Sequence, residues 1–128
     1  MTDDDELVSV RYLVADVAEA LDFYTTHLGF EPGLVNLPAF AEALRGPLRL
    51  LLSGPRSSAG QPLADGAVPA PGGWNRIHLR TDDLAAEVAR LEAAGLAFRS
   101  EVVTGPGGSQ ILLEDPSGNL VELFQPRR

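Results

Sequence analysis

The side chains best equipped for chemistry stand in two short runs. One is Trp74-Asn75-Arg76-Ile77-His78, and the other is the last apolar stretch, where Glu122 is the one acid among Leu120, Val121, Leu123 and Phe124. His78 follows Arg76 by two residues, so on a strand both side chains lie on one face. Imidazole and carboxylate are groups that can act as general bases near neutral pH, and in an enzyme that role would fall to His78 and Glu122. The same two could in principle share a metal ion, whereas a lone histidine is more often a hydrogen-bonding or ligand-contacting group. His27 is placed near a helix end, where an imidazole meets free carbonyls and the negative end of the dipole. Trp74, the only tryptophan, either stacks on a flat ligand or packs against Pro69 or Pro71.

Composition removes several classes of chemistry. The chain has 128 residues, no cysteine, and ten basic residues that are all arginine. Disulfides, thiolate metal sites and cysteine nucleophiles are therefore excluded, as are lysine Schiff bases and a P-loop. No Ser-His-Asp spacing is legible, and Gly105-Pro-Gly-Gly108 has no helix after it, so it reads as a turn. A net charge of −8 argues against nucleic acid or an anionic membrane face as partner. No apolar run approaches the ~20 residues needed to span a bilayer. Residues 2–6 read as a solvated acidic start without the apolar core of a secretory signal, which points to a cytoplasmic protein.

The elements that carry these residues follow a repeated pattern. Val8, Val10, Tyr12 and Val14 alternate as on a strand, and Val17, Ala20, Leu21, Tyr24 and Leu28 then recur at helical spacing. Asp16, with Glu19 after it, is placed to cap that helix, and Gly29 to end it. The pattern returns in Ile77, Leu79 and Thr81, then Asp83, then Leu84, Val88 and Leu91, then Gly95. The shift that carries Asp16 onto Asp83 carries Val10 onto Ile77 and Tyr12 onto Leu79, which marks an internal duplication. Further strands are expected at 31–37, 40–44, 48–53, 98–103, 110–114 and 120–125. Leu48 to Leu52 reads as a strand buried on both faces. The expectation is one α+β domain over 1–128, built from βαβββ modules at 7–53 and 74–125. Between them, Gly54 to Gly73 forms a loop of about 20 residues, either filler or a lid.

These residues resemble the vicinal oxygen chelate superfamily, which includes glyoxalase I, the bleomycin-resistance proteins and the extradiol dioxygenases. The resemblance rests on Asp16 with Phe23-Tyr24 and Leu28-Gly29-Phe30, and on Asp83 with Leu91 and Ala94-Gly95. Asp115-Pro-Ser-Gly-Asn119 running into Val121-Glu122-Leu123 completes it. It implies two modules whose sheets curl around a central cavity with helices outside, often in a homodimer. The enzymes of that family hold a divalent metal. The resemblance places its ligands on the first strand of each module, here Ser9 and Arg76, on the fourth strand at Leu51, and on the last strand at Glu122.

Only Glu122 suits such a role. A hydroxyl is a poor ligand, leucine is none, and a guanidinium repels a cation. A metal-free binding protein of the bleomycin-resistance kind is therefore expected, holding a partly aromatic natural product or antibiotic without cofactor. The alternative is a glyoxalase-like lyase or isomerase using Glu122 and His78. Expected ligand contacts are Ser9, Arg11, Phe40, Arg49, Leu51, Trp74, Arg76, His78, Phe98, Glu122 and Phe124, with Arg76 and Glu122 as counter-ions.

Overall fold

A computed structural model describes residues 6–128; the acidic start, Glu6 apart, lies outside the described residues. The chain divides into two compact units, one ending at Gly72 and the other beginning at Gly73. The first contains β1 (Val8–Leu13), α1 (Val17–His27), β2 (Glu31–Asn36), β3 (Phe40–Arg45) and β4 (Leu48–Ser53). The second contains β5 (Arg76–Arg80), α2 (Leu84–Ala93), β6 (Val103–Gly105), β7 (Gly108–Glu114) and β8 (Leu120–Pro126). Each unit is βαβββ, and the strand orders match: β1-β4-β3-β2 and β5-β8-β7-β6. In both, the first strand runs parallel to the last and the remaining pairs are antiparallel.

Both helices start where the sequence signals them. The Asp16 carboxylate accepts from the Glu19 N–H at 3.1 Å, and Asp83 accepts from Ala86 N–H at 3.1 Å. Each bond satisfies a donor that the first helical turn leaves free. Gly29 and Gly95 follow the helix ends with φ of 74° and 87°, a left-handed conformation that glycine reaches without steric cost. The buried stripe of α1 is Val17, Ala20, Phe23 and Tyr24, with Leu21 only half-buried. Phe23 takes the place expected of Leu21, which falls at the edge of the stripe. Phe23 meets Tyr24 edge-on at 5.1 Å, and Tyr24 meets Phe30 at 5.3 Å.

Each helix covers one face of its sheet. In module one the covered face carries Tyr12, Leu50, Leu52, Ala41 and Ala43, all buried. The two alanines let α1 approach β3 closely. In module two it carries Ile77, Leu79, Val121, Leu123, Ile111 and Leu113. Burying each large aliphatic side chain contributes about 1.5–3 kcal/mol. Strand β4 departs from expectation: Leu50 and Leu52 are buried, but Arg49 and Leu51, on the opposite face, are half-buried. The second face carries Arg49, Leu51 and Ser53, and α1 covers only the first.

The strand expected at 98–103 is also corrected. Phe98 makes a single bridge to Leu113, Arg99 N–H donates to the Leu112 carbonyl at 2.8 Å, and regular pairing begins only at Val103. The Ser100 hydroxyl explains the interruption, because it accepts from the Leu112 N–H at 3.0 Å where a strand would offer a carbonyl.

Residues 54–73 contain no strand, but their first part is hydrogen-bonded to itself. Ser57 donates through its hydroxyl to the Gly54 carbonyl at 2.7 Å and accepts from Gly60 N–H at 3.1 Å. Gln61 reaches back to the carbonyls of Pro55 and Ser57. Close approach there requires glycine: a β-carbon on Gly60 would collide with the Gly54 carbonyl, and one on Gly54 would lie 2.8 Å from Val17 Cγ2.

Candidate functional site

Strand alternation sends every second side chain to the face away from the helix, and the register says which ones meet there. In module two, His78 pairs with Glu122, which pairs in turn with Leu112; Arg80 pairs with Phe124, and Arg76 with Leu120. Arg76 donates through Nε to Glu122 Oε1 at 3.0 Å, while His78 Nε2 lies 3.5 Å from Glu122 Oε2. The carboxylate side chain is 9% exposed, against 29% for Arg76 and 47% for His78. A buried carboxylate is thus held between two nitrogen groups that both reach solvent. The His78 ring sits 4.7 Å from that of Phe124, tilted by 39°. Arg76, His78, Glu122 and Phe124 therefore form one cluster, with the counter-ion pair expected from the sequence at its centre.

Module one presents a different set on the same frame. Ser9 pairs with Arg49, Arg11 with Leu51, and Phe40 with Ser53. Arg49 donates through Nε to Ser9 Oγ at 2.9 Å, and its Nη1 lies 3.9 Å from Glu42 Oε2. Glu42 also accepts from the Leu34 N–H at 3.0 Å. The structure brings Ser9, Arg49 and Leu51 to this face beside a carboxylate, Glu42, that the sequence reading did not single out. Only its alternation with the buried Ala41 and Ala43 could have signalled it.

Phe98 does not join either set. Its bridge to Leu113 places it on the helix side of the second sheet, away from Glu122. Trp74 is exposed, and its ring faces the Arg99 guanidinium at 5.1 Å, with Arg99 also bonded to Glu114 at 3.0 Å. That cation–π contact was not legible from sequence, since Arg99 lies on the irregular segment before β6. His27 stands 5.9 Å from the Phe23 ring at the end of α1.

The donor set does not fit the divalent metal that the family resemblance implies. The Glu122 carboxylate is already bonded to a guanidinium. The Ser9 hydroxyl accepts from another, and Leu51 has no donor. Among the described residues, no three histidine, aspartate or glutamate side chains gather in a metal-binding arrangement, whereas a catalytic site needs about three protein ligands.

No helix among the described residues is long and apolar enough to cross a membrane. No curated protein sequence matches the chain, but solved structures do. A lactoylglutathione lyase from Agrobacterium tumefaciens is 22% identical, with 93% of this chain and 92% of that one covered and a TM-score of 0.74. At that identity it speaks for the fold alone. A glyoxalase/bleomycin resistance protein/dioxygenase superfamily member from Sphaerobacter thermophilus is 28% identical over 93% and 95%, with a TM-score of 0.74. TnmS3, an antibiotic-binding protein from a Streptomyces species, is 28% identical over 94% and 95%, with a TM-score of 0.71. The model of the glyoxalase/bleomycin resistance protein/dioxygenase superfamily matches residues 6–123. With its duplicated βαβββ modules, this chain belongs to that superfamily.

Proposed function

We propose that the protein binds a small, partly aromatic natural product or antibiotic with its own side chains, without metal, and so sequesters it. One observation carries this reading. The only carboxylate at a family metal position, Glu122, is held by Arg76 beside His78 and Phe124. Such a cluster presents guanidinium, imidazole and aromatic surface to a guest, while its anion is already neutralised. A buried ion pair adds little net stability, so orienting a polar ligand gives it a purpose. The likeness to an antibiotic-binding protein at 28% identity supports the same reading. The proposed working form is a cytoplasmic homodimer, and the ligand contacts are Ser9, Arg11, Phe40, Arg49, Leu51, Trp74, Arg76, His78, Glu122 and Phe124.

Calorimetric titration with a broad panel of aromatic antibiotics tests it. Saturable binding by at least one, weakened by Arg76→Ala, is expected; no binding by any, with no protection of a sensitive host, would overturn it. A second reading draws on the exposed His78 ring, 3.5 Å from Glu122, which is suited to move a proton between a guest and solvent. A glyoxalase-type turnover that disappears in both His78→Gln and Glu122→Gln would establish that reading instead.

A further inference from the structure

Arg11 and Arg56 are conspicuous for what they do not touch. Arg49, Arg76, Arg90, Arg99 and Arg128 each hold a carboxylate within ion-pairing distance. Arg11 and Arg56 pair with none among the described residues, in a chain where 18 acids face 10 arginines. Both line a hollow of about 370 Å³ within the first unit, together with Asn36, Phe40, Ser53 and Ser57. That volume lies at the small end of ligand-binding cavities. Asp16, which lines a neighbouring hollow with Arg56, is committed to the α1 cap, and Glu42, two residues from Phe40, is engaged by Arg49 and the Leu34 N–H.

Ser53 provides an independent observation. It is 1% exposed, and its Oγ is the one buried side-chain polar atom among the described residues without a hydrogen-bond partner. A buried hydroxyl normally finds a partner, so an orphan in the wall of a hollow calls for one. Of the other two hydroxyls there, Ser57 already donates to Gly54 and accepts from Gly60, and Ser58 is exposed to solvent. The hollow is therefore lined by two guanidinium forks, a spare hydroxyl donor and the half-buried side chain of Phe40, the residue opposite Ser53 across the strands.

We infer that this hollow seats an oxyanion, a carboxylate or phosphate, carried on a small aromatic body. Two planar guanidiniums match the paired oxygens of such a group. The Ser53 hydroxyl donates a further bond once part of the lining gives way, because Oγ is covered by its neighbours. The exposed side chains of Arg11, Arg56 and Ser58 are the part able to move. The inference rests on the small-molecule reading proposed above and adds the class of guest. On an acidic protein, it also explains how an anion is admitted: the unpaired arginines supply local positive charge.

Calorimetry with 1-naphthoate, 1-naphthyl phosphate and neutral 1-naphthamide tests it. At least one anion should bind about tenfold more tightly than the amide, and whichever is tighter identifies the preferred oxyanion. Adding salt should narrow the gap. Arg11→Gln with Arg56→Gln should abolish the preference without changing the melting temperature, since both side chains are exposed and unpaired. Ser53→Ala should weaken the preferred anion a few-fold and leave the melting temperature unchanged or raised, because it removes an unsatisfied hydroxyl. An amide that binds as well as both anions, or a double variant that keeps the preference, overturns the inference while leaving small-molecule binding intact. Failure of all three probes also overturns it, and the antibiotic panel then decides the broader reading separately.

Discussion

The two modules share a frame and differ in what they hang on it. On the open face of module two, the central strand pair sets Leu112 of β7 against Glu122 of β8; on module one it sets Glu42 of β3 against Leu51 of β4. The carboxylate and the leucine have exchanged strands. The guanidinium has moved as well, from the first strand in Arg76 to the fourth in Arg49. In module two the ion pair is short, at 3.0 Å, with the acid side chain 9% exposed. In module one the charges stand 3.9 Å apart, the acid is 19% exposed, and it also holds a backbone N–H of β2. Duplication thus preserves which positions face outward, and side-chain chemistry decides what each face does. Module two keeps a buried carboxylate clamped by Arg76 beside His78, whereas the first unit keeps the unpaired Arg11 and Arg56 beside Ser53.

The comparison breaks most directly at the two acids. Glu122→Ala leaves Arg76 without its partner and should destabilise the protein by about 2 kcal/mol; the value is below that of a fully buried pair because Arg76 keeps contact with water. Glu42→Ala should cost roughly 0.5–1 kcal/mol, since its ion pair is long and half-exposed. Urea midpoints measure both, and equal losses would erase the distinction between the faces. The helix caps sharpen the point from the other side, because there the modules are alike. Asp16→Ala and Asp83→Ala should each cost about 1 kcal/mol, read from the same midpoints, and a difference well beyond that would mean that the repeated frame is not equivalent. The smallest effect is expected at the exposed Trp74. Arg99→Ala removes its cation–π partner and should lower stability by about 0.5 kcal/mol, while changing the fluorescence of the single tryptophan.

Much of this frame was legible in the sequence because backbone periodicity and caps are local signals. Asp16 and Asp83 announce the helix starts, and alternation in Val8 to Val14 and Ile77 to Thr81 announces the strands. The Arg76–Glu122 contact was also within reach, because the resemblance placed both residues on one face. The rest depended on non-local detail. Ser100 interrupts a strand with one side-chain hydrogen bond to Leu112, a partner twelve residues away. Phe98 sits on the helix side because of a single bridge. The link from Arg49 to Ser9 spans 40 residues, and Arg56 shares a hollow with Arg11, far away in sequence, where Ser57 closes a turn onto Gly54. No periodicity encodes such meetings. Phe23, buried where Leu21 was expected, meets the Tyr24 ring edge-on, a contact that the spacing of apolar residues alone does not specify.

The central claim is that Glu122 is engaged by the Arg76 guanidinium beside His78 and leaves no seat for a metal. Elemental analysis of protein purified without chelator, from cells supplied with zinc, nickel, manganese and iron, tests it most directly. The account predicts that every transition metal is far below one equivalent and that Glu122→Gln leaves the content unchanged. A stoichiometric metal that is lost in Glu122→Gln would contradict it.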